Sequence, residues 1–218
     1  MCSAYGIALV RTELASTPQE ALEAATEIGL PVVLKSDAPA VSHRAAADAV
    51  RLGLDSGPAI EAAYGSIAAN VRAHDESAAL EGLLVQSQVA GAEAIVGVTT
   101  EPGFGPLVTV GTGGRLVEVL GDRSTRLAPL SIAEAEEMLA ETRLPDLLAA
   151  EGNEGGIGEL RELLVRVSEL ASETTVVELD FNPVMVREDG VTIVDALVRT
   201  DSTDGAGGDG GALGGTVD

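Results

Sequence analysis

Three sets of side chains have the types and spacing to handle a phosphate-bearing ligand and its counter-ion. The first is Glu178-Leu179-Asp180-Phe181-Asn182-Pro183 with its sequel Val191-Thr192-Ile193-Val194-Asp195-Ala196-Leu197. Two β-rich runs flank Asp189-Gly190, a turn signal, so the segment reads as a β-hairpin. Strand alternation puts Glu178, Asp180 and Asn182 on one face and Val177, Leu179 and Phe181 on the other. Pro183 holds Asn182 extended. In the return strand Val191, Ile193 and Leu197 fall in one phase, and Asp195 sits in the same phase. A carboxylate in an apolar row is costly without a partner. Mg²⁺, held by one or two protein oxygens plus phosphate oxygens, is such a partner. The plain alternative is two ordinary polar residues at strand ends.

The second is Lys35, the sole lysine, at the end of the run Pro31-Val32-Val33-Leu34. An exposed charge at a strand end is the ordinary reading. Yet every other basic residue is arginine, and a compact ammonium acting as a point charge on phosphate is a role arginine fills poorly. The third is the glycine-rich loop Gly111-Thr112-Gly113-Gly114. It lacks the Gly-Lys-Ser/Thr ending of a Walker loop and lies between strands, so it either admits a phosphate or makes a tight turn. His43, in a polar loop, and His74 carry no assignment from spacing alone.

The elements around these groups follow from local signals. Thr17-Pro18-Gln19-Glu20 is a capping box with proline at the first helical position, and the helix stops at Gly29. Residues 5–10 are expected to be a strand or the lead-in to one; strands are expected over 31–35, 49–54, 82–86, 93–99, 106–110 and 116–120, with a helix over 58–72. Its inward face is Ile60, Ala63, Ile67 and Val71. Ser131-Ile132-Ala133-Glu134 caps a helix to Thr142. The helix over 158–173 carries the apolar stripe Leu160, Leu163, Leu164, Val167 and Leu170. The order β-α-β-β-α, then β-β-β-β-α-α-β-β, indicates an α+β fold of two α/β lobes with a ligand cleft between them. The expected lobes are residues 1–82 and 83–200, followed by a disordered acidic tail, 201–218.

Bulk properties narrow the function. Acidic residues number 35 against 13 basic, a net charge of −22. That field repels nucleic acid and anionic membranes, so neither is an expected partner. Scarce lysine beside many carboxylates fits a halophilic cytoplasm, where salt screens repulsion, or a GC-rich genome. Aromatics are 2% of the chain, which argues against stacking on bases. The single cysteine, Cys2, permits no internal disulfide and fits a reducing, cytoplasmic setting. No apolar run is long enough to span a bilayer.

Several stretches together resemble the ATP-grasp domain of the NDP-forming acyl-CoA synthetase superfamily, in particular the β subunit of ADP-forming acetate–CoA ligase. They are Tyr5-Gly6-Ile7, the run from Gly29 to Lys35, His43-Arg44, Glu93 to Gly97, Phe104-Gly105-Pro106, Gly111 to Leu120, Arg126 to Leu130, and Asp180-Phe181-Asn182-Pro183. The resemblance implies an ATP-grasp fold, ATP or ADP with Mg²⁺ as cofactors, and a CoA-binding α-type partner subunit in a hetero-oligomer. It implies that Lys35 contacts the nucleotide phosphates and that Asn182 and Asp195 hold the metal. Gln86, Ser87, Gln88 and Val89 would form an inter-lobe linker whose backbone meets adenine. Glu93 and Glu118 would contact ribose or phosphate, and His43 would relay phosphate. The pattern is broken after His43, where Arg44 to Val50 replaces the family's usual Lys, Ser-Asp and Gly-Gly-Val. A nucleotide-sensing regulatory module without phosphoryl transfer is the alternative reading.

Overall fold

The computed structural model describes residues 1–37, 48–74, 80–114 and 121–201. They form two compact units, Val10–Gln88 and Met1–Leu9 together with residues 89–201.

The first unit contains β1 (Thr12–Ala15), α1 (Pro18–Ile28), β2 (Val32–Ser36), β3 (Val50–Leu54), α2 (Gly57–His74) and β4 (Leu83–Ser87). The strands pair antiparallel in the order β1-β4-β2-β3. Thr17 caps α1 as expected, its hydroxyl accepting the Glu20 N–H at 3.2 Å, but the reciprocal half of the box differs: the Glu20 carboxylate accepts the Ser16 N–H at 2.8 Å. The four residues expected on the inner face of α2 are all buried, and they pack with Ala21, Ala25, Val32, Leu34, Leu83 and Val85. On α1 the buried positions are Ala21, Ala24 and Ala25, with Leu22 and Ile28 partly buried at the margin.

The second unit is built on one antiparallel sheet. Its strands are β5 (Ala92–Glu101), β6 (Gly105–Thr112), β7 (Arg123–Leu127), β8 (Val176–Arg187), β9 (Gly190–Ile193) and β10 (Ala196–Thr200). The order is β10-β8-β5-β6-β7, with β9 also pairing β8. Between β7 and β8 run α3 (Ile132–Ala140), α4 (Leu144–Glu151) and α5 (Ile157–Glu173). The whole apolar stripe of α5 is buried against sheet residues that include Val96, Val98, Val108, Val110, Phe181 and Val184. Ser131 and Glu134 form the expected reciprocal box at the start of α3.

Several expectations are corrected. Of the two readings of residues 5–10, the lead-in holds and the strand does not: Cys2–Tyr5 is a single 3-10 turn closed by Gly6 in the left-handed region (φ 66), and the first strand is Thr12–Ala15. This N-terminal turn belongs to the second unit, where Tyr5 OH donates to Glu173 at 3.0 Å and Arg166 donates to the Gly6 carbonyl at 3.2 Å. The lobe division also differs from the units, because β4 is hydrogen-bonded inside the first sheet. Strand β7 and helix α4 carry too little apolar periodicity to be read from the sequence. The expected strand at 116–120 and the expected disordered tail at 202–218 lie outside the described residues.

The rear hairpin holds in its first strand and changes in its second. Leu179 and Phe181 are buried while Asp180 and Asn182 are exposed, as alternation requires. The return, however, splits into β9, which pairs Val184–Arg187, and β10, which pairs Val176–Phe181. Proline has no N–H for the ladder, so pairing shifts at Pro183. The β5–β8 register shifts at the same place, between Ala94 and Val96. The break reverses the phase beyond it: Leu197 is 41% exposed instead of lying in the apolar row, and Ala196 and Val198 pack on the core.

Phe181 is wholly buried at the crossing of β5, β8 and β10. Phe181→Ala is expected to cost about 3–5 kcal/mol of folding stability, measured by urea unfolding.

Candidate functional site

Lys35 is placed by a strand that is buried along its whole length, with pairing on both sides: Val50 of β3 and Leu84 of β4 stand opposite it. The lysine is itself only 5% exposed, so the reading of a solvated strand-end charge does not hold. Burying an ammonium is costly unless charge or hydrogen bonding meets it, and lysine is rarely found fully buried otherwise. By alternation Lys35 shares a sheet face with Val33 and, across the β2–β4 ladder, with Gln86. Gln86 is equally buried and donates from Nε2 to Thr12 Oγ1 at 2.8 Å. Two polar side chains thus stand on the face opposite Val32 and Leu34, which meet the helices.

In the second unit the Pro183 break brings the two expected metal-binding residues together. Asn182 donates its N–H to the Asp195 carbonyl at 3.1 Å, and Val194 donates to the Pro183 carbonyl at 3.0 Å. Asp195 Oδ1 also accepts the Ala196 N–H at 3.1 Å, which orients the carboxylate from its own strand end. The donor set is an amide oxygen and a carboxylate, both hard oxygen ligands. Among the described residues no group of three or more His, Cys, Asp or Glu side chains is arranged to hold a metal ion. An amide–carboxylate pair fits Mg²⁺, which keeps several waters and shares phosphate oxygens, better than a metal needing a full protein cage.

Asp180 is a residue of this site to which the sequence reading gave no role. It stands between Gly97 of β5 and Leu197 of β10. The residue is exposed, yet its carboxyl is pushed above the usual aspartate range, first by partial desolvation and then by the charges of Glu178 and Asp195. Its i, i+2 spacing from Asn182 was the available signal. Glu178 is held by Arg199, whose Nη1 donates at 2.7 Å.

The remaining expected residues fall out unevenly. Gln86 and Ser87 lie in β4, and the N–H groups of Ser87 and Gln88 donate to the carbonyls of Arg11 and Pro31, each at 3.3 Å. Gln88 Oε1 accepts the Gly53 N–H at 2.6 Å. Those two amides are therefore committed within the first unit. Glu93 is exposed on β5 against the glycine-rich loop: its carbonyl accepts the Gly113 N–H at 2.7 Å. A Cβ at Gly113 would lie 2.7 Å from the Glu93 Cβ, so glycine is required for this approach. Thr112, one residue earlier, is buried, and its hydroxyl has no hydrogen-bond partner among the described residues. His43 and Glu118 lie outside the described residues.

An ATP-grasp domain model matches residues 1–200. The chain is 35% identical over 196 residues to the β subunit of acetate–CoA ligase [ADP-forming] I of Pyrococcus furiosus, covering 88% of this chain and 84% of that one. It is 38% identical over 191 residues to the 4-hydroxybutyrate–CoA ligase [ADP-forming] of Nitrosopumilus maritimus, covering 86% of this chain but only 27% of that protein. A structure of Ca. Korarchaeum cryptofilum dinucleotide forming acetyl-coenzyme A synthetase 1, in complex with coenzyme A, Ca-AMPCP and HgCl+, superposes with a TM-score of 0.84 at 36% identity. It covers 91% of this chain and 88% of that one.

The raised Asp180 pKa has a measurable consequence. In a carboxyl NMR titration Asp180 is expected above the ordinary aspartate value, and Asp195→Asn is expected to bring it part of the way down. Because the folded value exceeds the unfolded one, about 3.9, this group's contribution to stability falls as pH rises from there to the folded value and is flat above it.

Proposed function

Because the chain belongs to the ATP-grasp domain family, we propose that it is the nucleotide-binding part of an NDP-forming acyl-CoA synthetase. The reaction is acyl-CoA + ADP + phosphate ⇌ acid + ATP + CoA, carried out with a separate CoA-binding, α-type chain. The observation that carries this reading is the match covering 84% of a ligase β subunit. That match favours the ligase over the nucleotide-sensing module, since the similar chain is named as a subunit of an enzyme. The fusion of a similar domain into a far longer ligase, of which this chain spans 27%, supports the need for further parts.

In this reading each unit contributes its own residues to nucleotide handling. Lys35 supplies a point charge to the phosphates from a rigid strand, where burial strengthens its field. Asn182 and Asp195 supply the oxygens for Mg²⁺, which would neutralise phosphate charge. Asp180, beside them, raises the negative potential that favours a cation over a free anion. The carbonyls of the 86–89 segment and the Val89 backbone receive the base, Glu93 and Glu118 the ribose or phosphate side. His43 is the proposed phosphate relay: a neutral imidazole nitrogen attacks phosphorus as the leaving oxygen departs, and the phosphoryl group then passes on. Glu93, Gly113 and Gly114 keep the glycine-rich loop close enough to β5 to shape that side. Among the described residues no helix is long and apolar enough to cross a membrane.

The acidic surface supports a setting rich in salt. Raising KCl from low to molar concentration is expected to raise the unfolding temperature, as screening relieves repulsion within a chain of net charge −22.

Lys35→Ala and Asp195→Asn are each expected to weaken Mg·ATP binding by roughly tenfold or more, the scale of a lost charged hydrogen bond. Calorimetry on the purified chain reads this, and unchanged affinity in both variants would sink the assignment. With the partner chain and Mg·ATP, a phosphoprotein signal abolished by His43→Ala is the expected sign of transfer. Binding that ignores His43, with no turnover beside any partner, would instead favour the sensor.

A further inference from the structure

We propose that Asp48, latched by Arg51 and Asn70, is a positioning residue for Lys35, acting through the first pair of the β2–β3 ladder. The proposal deepens the reading of Lys35 as the phosphate-contacting ammonium and rests on it.

Asp48 is the one non-glycine residue with positive φ among those described, at 51°. An L-residue enters this region only when its surroundings hold it there, although aspartate tolerates it better than most. Here the surroundings are explicit. Arg51 Nη1 donates to Asp48 Oδ1 at 2.6 Å and Nη2 to Oδ2 at 2.7 Å, a fork-on-fork pair. Arg51 Nη1 also reaches the Asp48 carbonyl at 3.2 Å. Asn70 of α2 donates to the same carbonyl at 3.0 Å and to Oδ2 at 3.3 Å. Arg51 Nη2 donates further to Ser66 Oγ of α2 at 3.3 Å. The turn is thereby tied to the strand that follows it and to the helix behind.

The next residues lead directly to the lysine. Ala49 is wholly buried, and its carbonyl accepts the Ser36 N–H at 3.0 Å. Val50 then stands opposite Lys35. Among the described residues β3 is the edge strand of its sheet, with no strand paired to it on the far side. Edge strands open most readily. What fixes the first pair of β3 is the turn before it, and what fixes the turn is the latch. The ion pair is partly solvated, with side-chain exposures of 30% for Arg51 and 69% for Asp48. Such a pair adds little to global stability. Its value lies in selecting one backbone path beside Lys35.

A double-mutant cycle on the full chain separates positioning from mere support. Mg·ATP affinity is measured by calorimetry for the wild type, Lys35→Met, Asp48→Ala and the double variant. Asp48→Ala is expected to weaken binding roughly fivefold in the Lys35 background and to have no further effect in the Lys35→Met background. Asp48→Gly, which takes positive φ without a latch, is expected to return affinity to within about twofold of wild type. Arg51→Lys keeps the charge but loses the fork, and is expected to weaken binding as Asp48→Ala does. It serves as the test variant if Asp48→Ala does not fold. Equal losses in both lysine backgrounds, no loss in the first, or no rescue by glycine would each overturn the proposal. An unaltered affinity in Lys35→Met would instead overturn the reading of Lys35, and this proposal with it.

Discussion

A strand in the middle of a sheet cannot donate from proline, and β8 carries one at its centre. On one flank of Pro183 the β5–β8 register shifts, and on the other the pairing passes from β9 to β10. The return chain therefore cannot continue as one strand, and the step between β9 and β10 sets Asp195 beside Asn182 through a backbone hydrogen bond. An amide and a carboxylate from segments thirteen residues apart, 195 − 182, become neighbours because a ladder is interrupted. The surrounding rows of Leu179, Phe181 and Val184 are buried without exception, so the interruption is held in a rigid frame.

The first unit solves a related problem in a different way. There strands pair with Lys35 on both sides, the β2–β3 register shifting only before it, between Val32 and Leu34, and the cost is a charge inside a fully buried strand. A charged group so placed cannot shift without disturbing two neighbouring strands, which is what a fixed electrostatic contact to a phosphate demands. The glycines of the second unit play the complementary part. Gly113 lets the loop after β6 lie against Glu93, an approach that any side chain would block. Rigid charges, close backbone and oxygen ligands are the ingredients of phosphate handling.

Much of this was legible in local sequence. Thr17 and Ser131 announce their helices through capping chemistry that acts within one turn. The α5 stripe repeats at helical spacing, and the alternation of 177–182 places Leu179 and Phe181 inward. What failed did so for definable reasons. Residues 5–10 are apolar enough for a strand, but Gly6 in the left-handed region turns them aside. Strand β7, Arg-Ser-Thr-Arg-Leu, is polar at most positions and owes its existence to pairing with β6. Leu197 was assigned inward by counting in twos across a break that counting cannot see.

The sequence by itself determined the α+β class, the caps, the core face of α2 and α5, and the residue types able to meet a phosphate and a cation: one lysine, one amide, one carboxylate. It did so because capping, periodicity and ligand chemistry are properties of neighbours in the chain. Only the tertiary structure decided that Lys35 is buried, that Asn182 and Asp195 touch, that Asp180 joins them with a raised pKa, and that Asp48 turns left-handed under Arg51 and Asn70. Those outcomes depend on strands far apart in sequence pairing in one register, and on the desolvation that follows, and no local pattern encodes either.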